Sequence, residues 1–449
     1  MLRHLFQTAA ILLLAAAGLP GAVPNVLLIV SDDHQHSAMG CAGNPIVRTP
    51  HLDRLAAEGV RFSHAFISIP ICTPSRAAFL TGRYGAHNGV TFFGHKMRPE
   101  VPTLAQVLTR SGFQTAFTGK WHNDGRPGHH GFTWTGNVFP GGMCDFTDPR
   151  LCQGLADKPQ VVPGNITELF TEAAVRFLET RDASRPFFLN VAYTAPHDPR
   201  TPPPAYESMY YAMKIPLPGN FMPEPRFDPG TLSIRDEMLL PLPRDPEIIT
   251  REMARYYGLI THMDTQIGRI LDALDRRGLT DNTIVFFAGD NGLALGAHAL
   301  LGKQTLHDEG TRVPLIIRHP RLGQRGQVRD SLVDLIDLMP TACEWTETGR
   351  PEELDGFSLA DVYTGRITQV RDAVFARYDD LFRSIRTSRH KLIQYLKLGR
   401  EELFDVAADP LELQDLSADA SLSGTRDQLR RQLQQWRAVQ HDTSGLRGP

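Results

Sequence analysis

An α/β fold, with a large, mostly parallel central sheet flanked by helices and a smaller C-terminal antiparallel sheet plus helix, is what three features of this chain predict. Residues 25–30 and 283–288 are continuous apolar runs. Each passes directly into oxygen-bearing side chains, Ser31-Asp32-Asp33 after the first and Asp290-Asn291 after the second. Strands covered on both faces by crossover helices read this way, and ligands gather at their C-terminal ends. Residues 247–277 form the strongest helical pattern, with Met253, Tyr256, Ile260, Met263, Ile267 and Ile270 on one apolar face. Beyond residue 372 the pattern turns to strand alternation, at 373–378, 382–386 and 391–396, ahead of a helix over 423–440.

With 449 residues, 41% of them hydrophobic and 22% charged, the chain can bury a large core and suggests two domains more readily than one. The division expected is a signal peptide over 1–22, a main α/β domain over 23–350 and a C-terminal α+β subdomain over 351–449. Arg3 and His4 precede an apolar run at 9–19 and then Pro20-Gly21-Ala22. That run is too short to span a bilayer and fits a secretion signal, so the expectation is an exported, periplasmic or secreted protein with no stable membrane insertion after cleavage. A formal charge of -3, with no long basic run, argues against a nucleic-acid partner. Five cysteines make no disulfide scaffold, although Cys144 and Cys152 are spaced to close a small loop.

Between these landmarks, helices are expected at 50–59, 101–111, 166–180 and 334–344, and strands at 113–118, 186–193 and 313–317. Residues 124–165 lack periodicity and read as a long loop or site rim, including His129 and His130. The proline-dense stretch 199–247 reads as an extended insertion. Two strand ends deliver further polar groups: Gly119-Lys120-Trp121-His122 and Thr194-Ala195-Pro196-His197-Asp198-Pro199.

The remaining cluster is Ile71-Cys72-Thr73-Pro74-Ser75-Arg76. Thr73 is a competent N-cap and Pro74 suits the first helical position, which puts Cys72 just outside a helix N-terminus. A cysteine there, close to Arg76, reads as a low-pKa thiolate; a buried structural cysteine is the alternative. Asp32, Asp33, Asp290 and Asn291 offer only oxygen ligands, which suit a hard cation such as Ca²⁺ or, less well, Mg²⁺. A salt-bridged loop is the competing reading of the two adjacent aspartates. Arg76, Lys120, His122, His197 and Lys303 would ring such a cation with positive charge, matched to sulfate or phosphate. No glycine-rich nucleotide loop, Walker loop or Gly-x-Ser-x-Gly elbow accompanies them.

Cys72-Thr73-Pro74-Ser75-Arg76 followed by Leu80-Thr81-Gly82-Arg83 resembles the signature of the type I, formylglycine-dependent sulfatases of the alkaline-phosphatase-like superfamily. Asp32-Asp33, Gly119-Lys120-Trp121-His122, Pro196-His197, Gly289-Asp290-Asn291-Gly292 and Gly302-Lys303 stand in the family's order, and Glu402-Leu403-Phe404-Asp405 is similar to its closing segment. The resemblance implies that Cys72 is converted to formylglycine (3-oxoalanine) by a formylglycine-generating or anaerobic sulfatase-maturing enzyme. It implies Ca²⁺ held by Asp32, Asp33, Asp290 and Asn291 against residue 72. Arg76 and Lys120 would then orient the aldehyde hydrate, and His197 and Lys303 would bind sulfate and assist departure of the alcohol. His122 would deprotonate the second hydroxyl, so that the sulfate ester on residue 72 breaks down. A serine or an unmodified cysteine lacks that second hydroxyl. Asp198 is placed either to orient His197 or to touch substrate.

The implied substrate is a sulfated saccharide or other small sulfate ester. The alternatives carried forward are a phosphonate or phosphate ester hydrolase of the same superfamily and an inactive sulfated-glycan-binding protein. His34, His36, His307 and His319 are expected to be satisfied loop histidines, and Asp308-Glu309 to support the site from behind.

Overall fold

The computed structural model describes residues 23–444; the expected signal segment over 1–22 lies outside the described residues. The first strands are β1 (Asn25–Ser31), β2 (Val60–Phe66), β3 (Gln114–Lys120), β4 (Trp134–Phe139), and a two-residue ribbon of β5 (Arg150–Leu151) with β6 (Gln160–Val161). They are followed by β7 (Phe187–Ala192), β8 (Thr283–Gly289), β9 (Arg312–Val313), β10 (Leu315–Arg318) and β11 (Gln327–Asp334). The main sheet runs β11-β2-β10-β8-β1-β7-β3-β4, with β9 paired to β2. Its pairings are parallel except where β10 meets β2 and β8 and where β9 meets β2.

The uninterrupted apolar runs have a simple cause. Side chains alternate across a strand, so a strand in the middle of a two-sided core needs apolar residues at both parities. In β1, Val26, Leu28 and Val30 enter one core while Leu27 and Ile29 enter the other; in β8, Ile284 and Phe286 part from Val285 and Phe287 in the same way. The 31-residue helix Pro246–Arg276 closes the second core with Met263, Ile267, Ile270, Leu271 and Leu274. Its N-cap is Asp245, which accepts from the amides of Glu247 and Ile248 at 2.7 and 3.1 Å.

Asp264 on that helix accepts the amides of His51 and Leu52 at 3.1 and 2.8 Å, and so fixes the start of the helix Pro50–Glu58. Burial pushes its carboxyl up to about 7, against 3.8 in the free side chain. Between those values the folded chain holds a proton that the unfolded chain has released. This contribution to stability is therefore full below about pH 4 and is lost as pH rises through about 7. Asp264→Asn cannot ionise. Wild-type unfolding free energy should fall relative to that variant across pH 4–7, by on the order of a few kcal/mol in denaturant titrations.

The sequence pattern did not mark β2, β4 and β11, each of which mixes polar with apolar positions, nor the last strand of the C-terminal sheet, 400–405. β4 and β11 are the sheet's two edges, and the first half of β11 is largely exposed. β4 contains Gly136 and Asn137, the latter at a φ of 52°, and β2 carries half-buried Ser63 and His64. The stretch 124–165 is thus not only loop: it supplies the edge strand β4 and the β5–β6 ribbon. The insertion 199–247 contains a helix, Pro204–Tyr211. Cys144 and Cys152 do not pair; all five cysteines are free thiols.

The C-terminal sheet consists of β12 (Ala373–Tyr378), β13 (Phe382–Thr387), β14 (His390–Tyr395) and β15 (Arg400–Asp405), each antiparallel to the next. The helix Ser423–Val439 covers one face through Leu429, Leu433 and Trp436. The other face packs Phe382, Ile393 and Phe404 on Ile69, Ile71 and Leu306, residues that flank Cys72 and Lys303 in sequence. Asp308 ties the two bodies together, paired to Lys391 at 2.9 Å and to Arg386 at 3.3 Å. Among the described residues no helix is long and apolar enough to cross a membrane.

Candidate active site

The helix that carries the cysteine begins earlier than its sequence suggests. It spans Cys72–Thr81 with Ile71 as an extended N-cap that provides no side-chain bond, and its first turn closes through Ser75 N to Ile71 O at 3.2 Å. Pro74 is tolerated because the first turn's amides have no intrahelical partner to lose. Thr73 is therefore not the cap; it lies inside the helix, and its hydroxyl oxygen is buried without a partner. Cys72 occupies the first helical position and is buried.

Nor is its thiol acidified. Burial pushes it up, and Asp32 beside it adds to the effect, against the opposing pull of Lys120 and Lys303. Unmodified Cys72 is a protonated thiol at neutral pH, not the thiolate that its helix position suggested.

Parallel pairing of β1 with β8 sets Ser31 opposite Gly289, so the next residues of both strands meet. The Asp33 amide donates to Asp290 Oδ1 at 3.2 Å, and Asn291 Nδ2 to Asp33 Oδ1 at 2.5 Å. Asp33 itself is held at a φ of 60°, a strained conformation that aims its carboxylate at this junction. Arg76 reaches across from the helix, its Nε 2.9 Å from Asp290 Oδ2, its Nη1 2.7 Å from the Lys120 carbonyl and its Nη2 3.8 Å from Asp32. The Ser75 hydroxyl donates to the Asp290 carbonyl, a contact the sequence reading did not assign.

Cys72 Sγ is the centre of this arrangement. It lies 3.3 Å from Asp32 Oδ1, 3.4 Å from Lys120 Nζ and 3.2 Å from Lys303 Nζ. Lys120 also pairs with Asp32, and Lys303 with Asp33 at 2.6 Å. Burial pushes both lysines down, but Asp32 beside Lys120 and Asp33 beside Lys303 push them up and hold both cationic. Burial likewise pushes the Asp33 carboxyl up, and His197, Lys303 and Lys120 together bring it below the usual range. For Asp32, burial and Asp290 prevail and raise it.

His197 faces the same centre, with Nε2 3.6 Å from Asp33 Oδ2. Its Nδ1 lies 2.7 Å from the Asp198 carbonyl and 3.3 Å from the Asp198 carboxylate, which itself receives both guanidinium nitrogens of Arg235. His122 is held at a φ of 47°, beside the Phe93 ring, with Nδ1 buried and unpartnered. Burial, then Lys120 and Arg76, push it down to about 2, so it is neutral at any ordinary pH. His34 fills its bonds locally, to Ser31 and Ala38.

Donor atoms of Asp32, Asp33, Cys72 and His197 all lie within 4.8 Å of one another. Asn291 Oδ1 and Arg76 Nη2, both buried, have no hydrogen-bond partner. The carboxylates of Asp32 and Asp33 packed together with an unfilled amide oxygen suit a hard, oxygen-seeking cation.

One support of this site comes from the insertion. Glu237, buried, accepts the amides of Leu301 and Gly302 at 2.9 and 2.8 Å and pairs with buried Arg244 at 2.6 Å, which also donates to the Ala299 carbonyl. This clamps the loop that ends in Lys303. Glu237→Ala leaves Arg244 buried and unpaired, which should cost about 3–5 kcal/mol. It should show in denaturant unfolding and in a lowered kcat, because the Lys303 loop is freed.

A family model described as Sulfatase matches residues 24–348, and one described as N-sulphoglucosamine sulphohydrolase, C-terminal, matches 296–439. The chain is 30% identical to an arylsulfatase of Clostridium perfringens, over 91% of this chain and 93% of that one. It is 27% identical to an N-acetylglucosamine-6-O-sulfatase of Bacteroides thetaiotaomicron, over 92% and 86%. The solved structure of BT4656 in complex with its substrate D-glucosamine-2-N,6-O-disulfate superposes with a TM-score of 0.85 at 26% identity, over 95% of this chain and 100% of that one. The cluster of Asp32, Asp33, Cys72 and His197 matches the active site of formylglycine-type sulfatases, which holds a divalent cation, Ca²⁺. The chain belongs to the formylglycine-dependent sulfatase family of the alkaline-phosphatase-like superfamily and is a sulfuric ester hydrolase.

Proposed function

We propose that this sulfatase removes sulfate from a sugar, with residue 72 in its formylglycine form. The observation that carries this reading is the convergence of Lys120 and Lys303 on Cys72 Sγ against the carboxylates of Asp32 and Asp33. Two cations that stay charged in a dry site are matched to an anion, and they stabilise charge that develops on its oxygens. The sugar substrate is supported by the solved complex of BT4656 and by the hexosamine-sulfate relative.

Asp32, Asp33, Asp290 and Asn291 would hold Ca²⁺, which supplies Lewis-acid polarisation of oxygens brought against it. The formylglycine hydrate supplies two hydroxyls, one to attack sulfur and one to release the sulfate afterwards. Arg76, anchored on Asp290 and the Lys120 carbonyl, orients the nucleophilic side chain. Lys120 holds the sulfate oxygens. His197, fixed by Asp198, and Lys303 bind the sulfate and assist departure of the sugar alcohol, with cationic Lys303 carrying the proton that the departing oxygen takes up. His122, kept neutral by burial and by its cationic neighbours, removes the proton from the second hydroxyl.

In the same reading residues 23–350 form the catalytic domain, 351–449 a subdomain that buttresses it, and 1–22 a signal for export to the periplasm or beyond. A formylglycine-generating or anaerobic maturing enzyme acts on Cys72 before the site closes around it, since the folded chain buries this side chain.

The test uses the chain co-produced with a maturing enzyme, conversion of Cys72 verified by peptide mass. Defined sulfated mono- and oligosaccharides are assayed beside the sulfate and phosphonate esters of one aryl alcohol. Release of sulfate from a sugar, and preference for the aryl sulfate over the aryl phosphonate, are expected. Faster phosphonate cleavage, or sugar binding without turnover by converted protein, would overturn the proposal.

A further inference from the structure

A cavity of about 410 Å³ is lined by Asp198, next to His197 in the chain, and by Leu301, two residues before Lys303. Its lining includes Asp198, Arg235, Arg200, Glu252, Leu239 and Leu301. Two links join it to the reacting centre. Asp198 holds His197 Nδ1 through both its carbonyl and its carboxylate. Leu301 stands two residues before Lys303, in the loop clamped by Glu237. The volume is in the range of small-molecule sites and has room for a sugar ring.

Its charges are evenly matched. Arg235 pairs with Asp198, Arg200 with Glu252 at 3.0 Å, and Arg255 with Glu252 and Glu207 at 2.9 and 3.3 Å. Three guanidiniums therefore meet three carboxylates, and no surplus of positive charge remains for a second anion. The Asp198–Arg235 pair is also asymmetric: the Asp198 side chain is 9% exposed and that of Arg235 44%, so the guanidinium is the solvent-facing member, its Nη1 shared between Asp198 and, at 3.0 Å, Asp236. A planar donor fork beside a fixed carboxylate offers donors and acceptors at the spacing of hydroxyls on neighbouring ring carbons.

We propose that this cavity is the subsite for the leaving alcohol, that the Asp198–Arg235 pair bonds adjacent hydroxyls of the sugar, and that the ring it accepts carries no second anionic group. The proposal rests on the sugar sulfatase reading above and names the class of sugar. A site built to bond hydroxyls discriminates strongly against a leaving group that lacks them, because its own buried polar groups are then left unpaired. An aryl sulfate, with a flat apolar leaving group, gains nothing from Arg235.

The experiment compares kcat/KM for 4-nitrophenyl sulfate with that for the best substrate in a panel of singly sulfated hexoses and N-acetylhexosamines, on converted enzyme. Arg235→Ala and Leu239→Trp, the second narrowing the cavity from a residue that touches neither His197 nor Asp198 in any bond, should each lower the sugar-to-aryl ratio about tenfold or more. Arg235→Lys should recover only part of it, because an ammonium lacks the fork. Replacing the N-acetyl group of the sugar by N-sulfate should lower wild-type kcat/KM about tenfold, the effect of an unmatched charge near carboxylates. A ratio unchanged in both variants overturns the proposal. So does a parallel loss on both substrates in Arg235→Ala, which would make Arg235 only a support for His197, and so does a gain from the second sulfate. Converted wild type that cleaves the aryl sulfate but nothing in the panel overturns the subsite and leaves the sulfatase assignment intact. Converted wild type inert toward every sulfate overturns the proposed function and this subsite together.

Discussion

Cys72→Ser is expected to complete one turnover and then stop. A serine oxygen would occupy the place of Sγ, within reach of Asp32, Lys120 and Lys303, so a nucleophile and its charge-stabilising neighbours are all still present. One hydroxyl is enough for attack on sulfur and loss of the alcohol. No second hydroxyl exists for His122 to deprotonate, so the sulfate stays on the side chain. Rapid mixing with a chromogenic sulfate should give a burst of one equivalent of alcohol, and intact mass should show one retained sulfate. The steady rate should fall about 10²–10⁴-fold, the range lost when a proton-transfer step is disabled. Continued turnover near the wild-type rate would mean that the thiol position carries different chemistry. Unconverted wild type makes a complementary control: its raised thiol pKa leaves it protonated and unreactive, so a batch without maturation should show no burst.

Asp290→Ala should be the most damaging single change to both stability and cation binding. Asp290 accepts from Arg76 Nε and from the Asp33 amide, and the Arg76 side chain is only 2% exposed. Removing the carboxylate leaves the buried guanidinium with only Asp32, 3.8 Å away, as a counter-charge. Breaking one partner of such a pair costs about 3–5 kcal/mol. The adjacent Asp33 loses the bond that holds its backbone at a positive φ. Denaturant titrations with and without Ca²⁺ separate the two effects. Wild type should gain about 2.7 kcal/mol at 100 times the dissociation constant, and the variant should gain little. A variant within about 1 kcal/mol of wild type, with its Ca²⁺ response preserved, would show that the strand junction is not the cation site.

How much of this was legible in the residues differs from element to element. β1, β8 and the long Pro246–Arg276 helix stood out because burial on both faces, or along one broad stripe, writes a periodicity that nothing local disturbs. β2, β4 and β11 did not, since half-buried or edge positions accept Ser, His, Asn and Arg and so erase the signal. The polar clusters after β1, β3, β7 and β8 were visible as breaks in apolar runs, and parallel pairing then brings them to one end of the sheet. Thr73 misled because its residue type suits a cap, while the chain instead starts the helix on extended Ile71 and packs Thr73 inside. The acidified thiolate misled for a related reason: a helix N-terminus favours an anion, but complete burial beside Asp32 outweighs it. Glu237, Arg244 and Arg235 carry no local pattern at all. Their roles arise when the insertion folds back over the loop before Lys303 and over Asp198, contacts separated by tens of residues in the chain.

A hard cation seated between the ends of β1 and β8, against residue 72, is what the proposed chemistry requires. A crystal structure of the converted enzyme grown with Ca²⁺, read by anomalous scattering, tests this directly. A single strong peak bonded by oxygens of Asp32, Asp33, Asp290 and Asn291 and touching the side chain of residue 72 is the result expected. A peak held elsewhere, or none at that junction with the metal in excess, would contradict it.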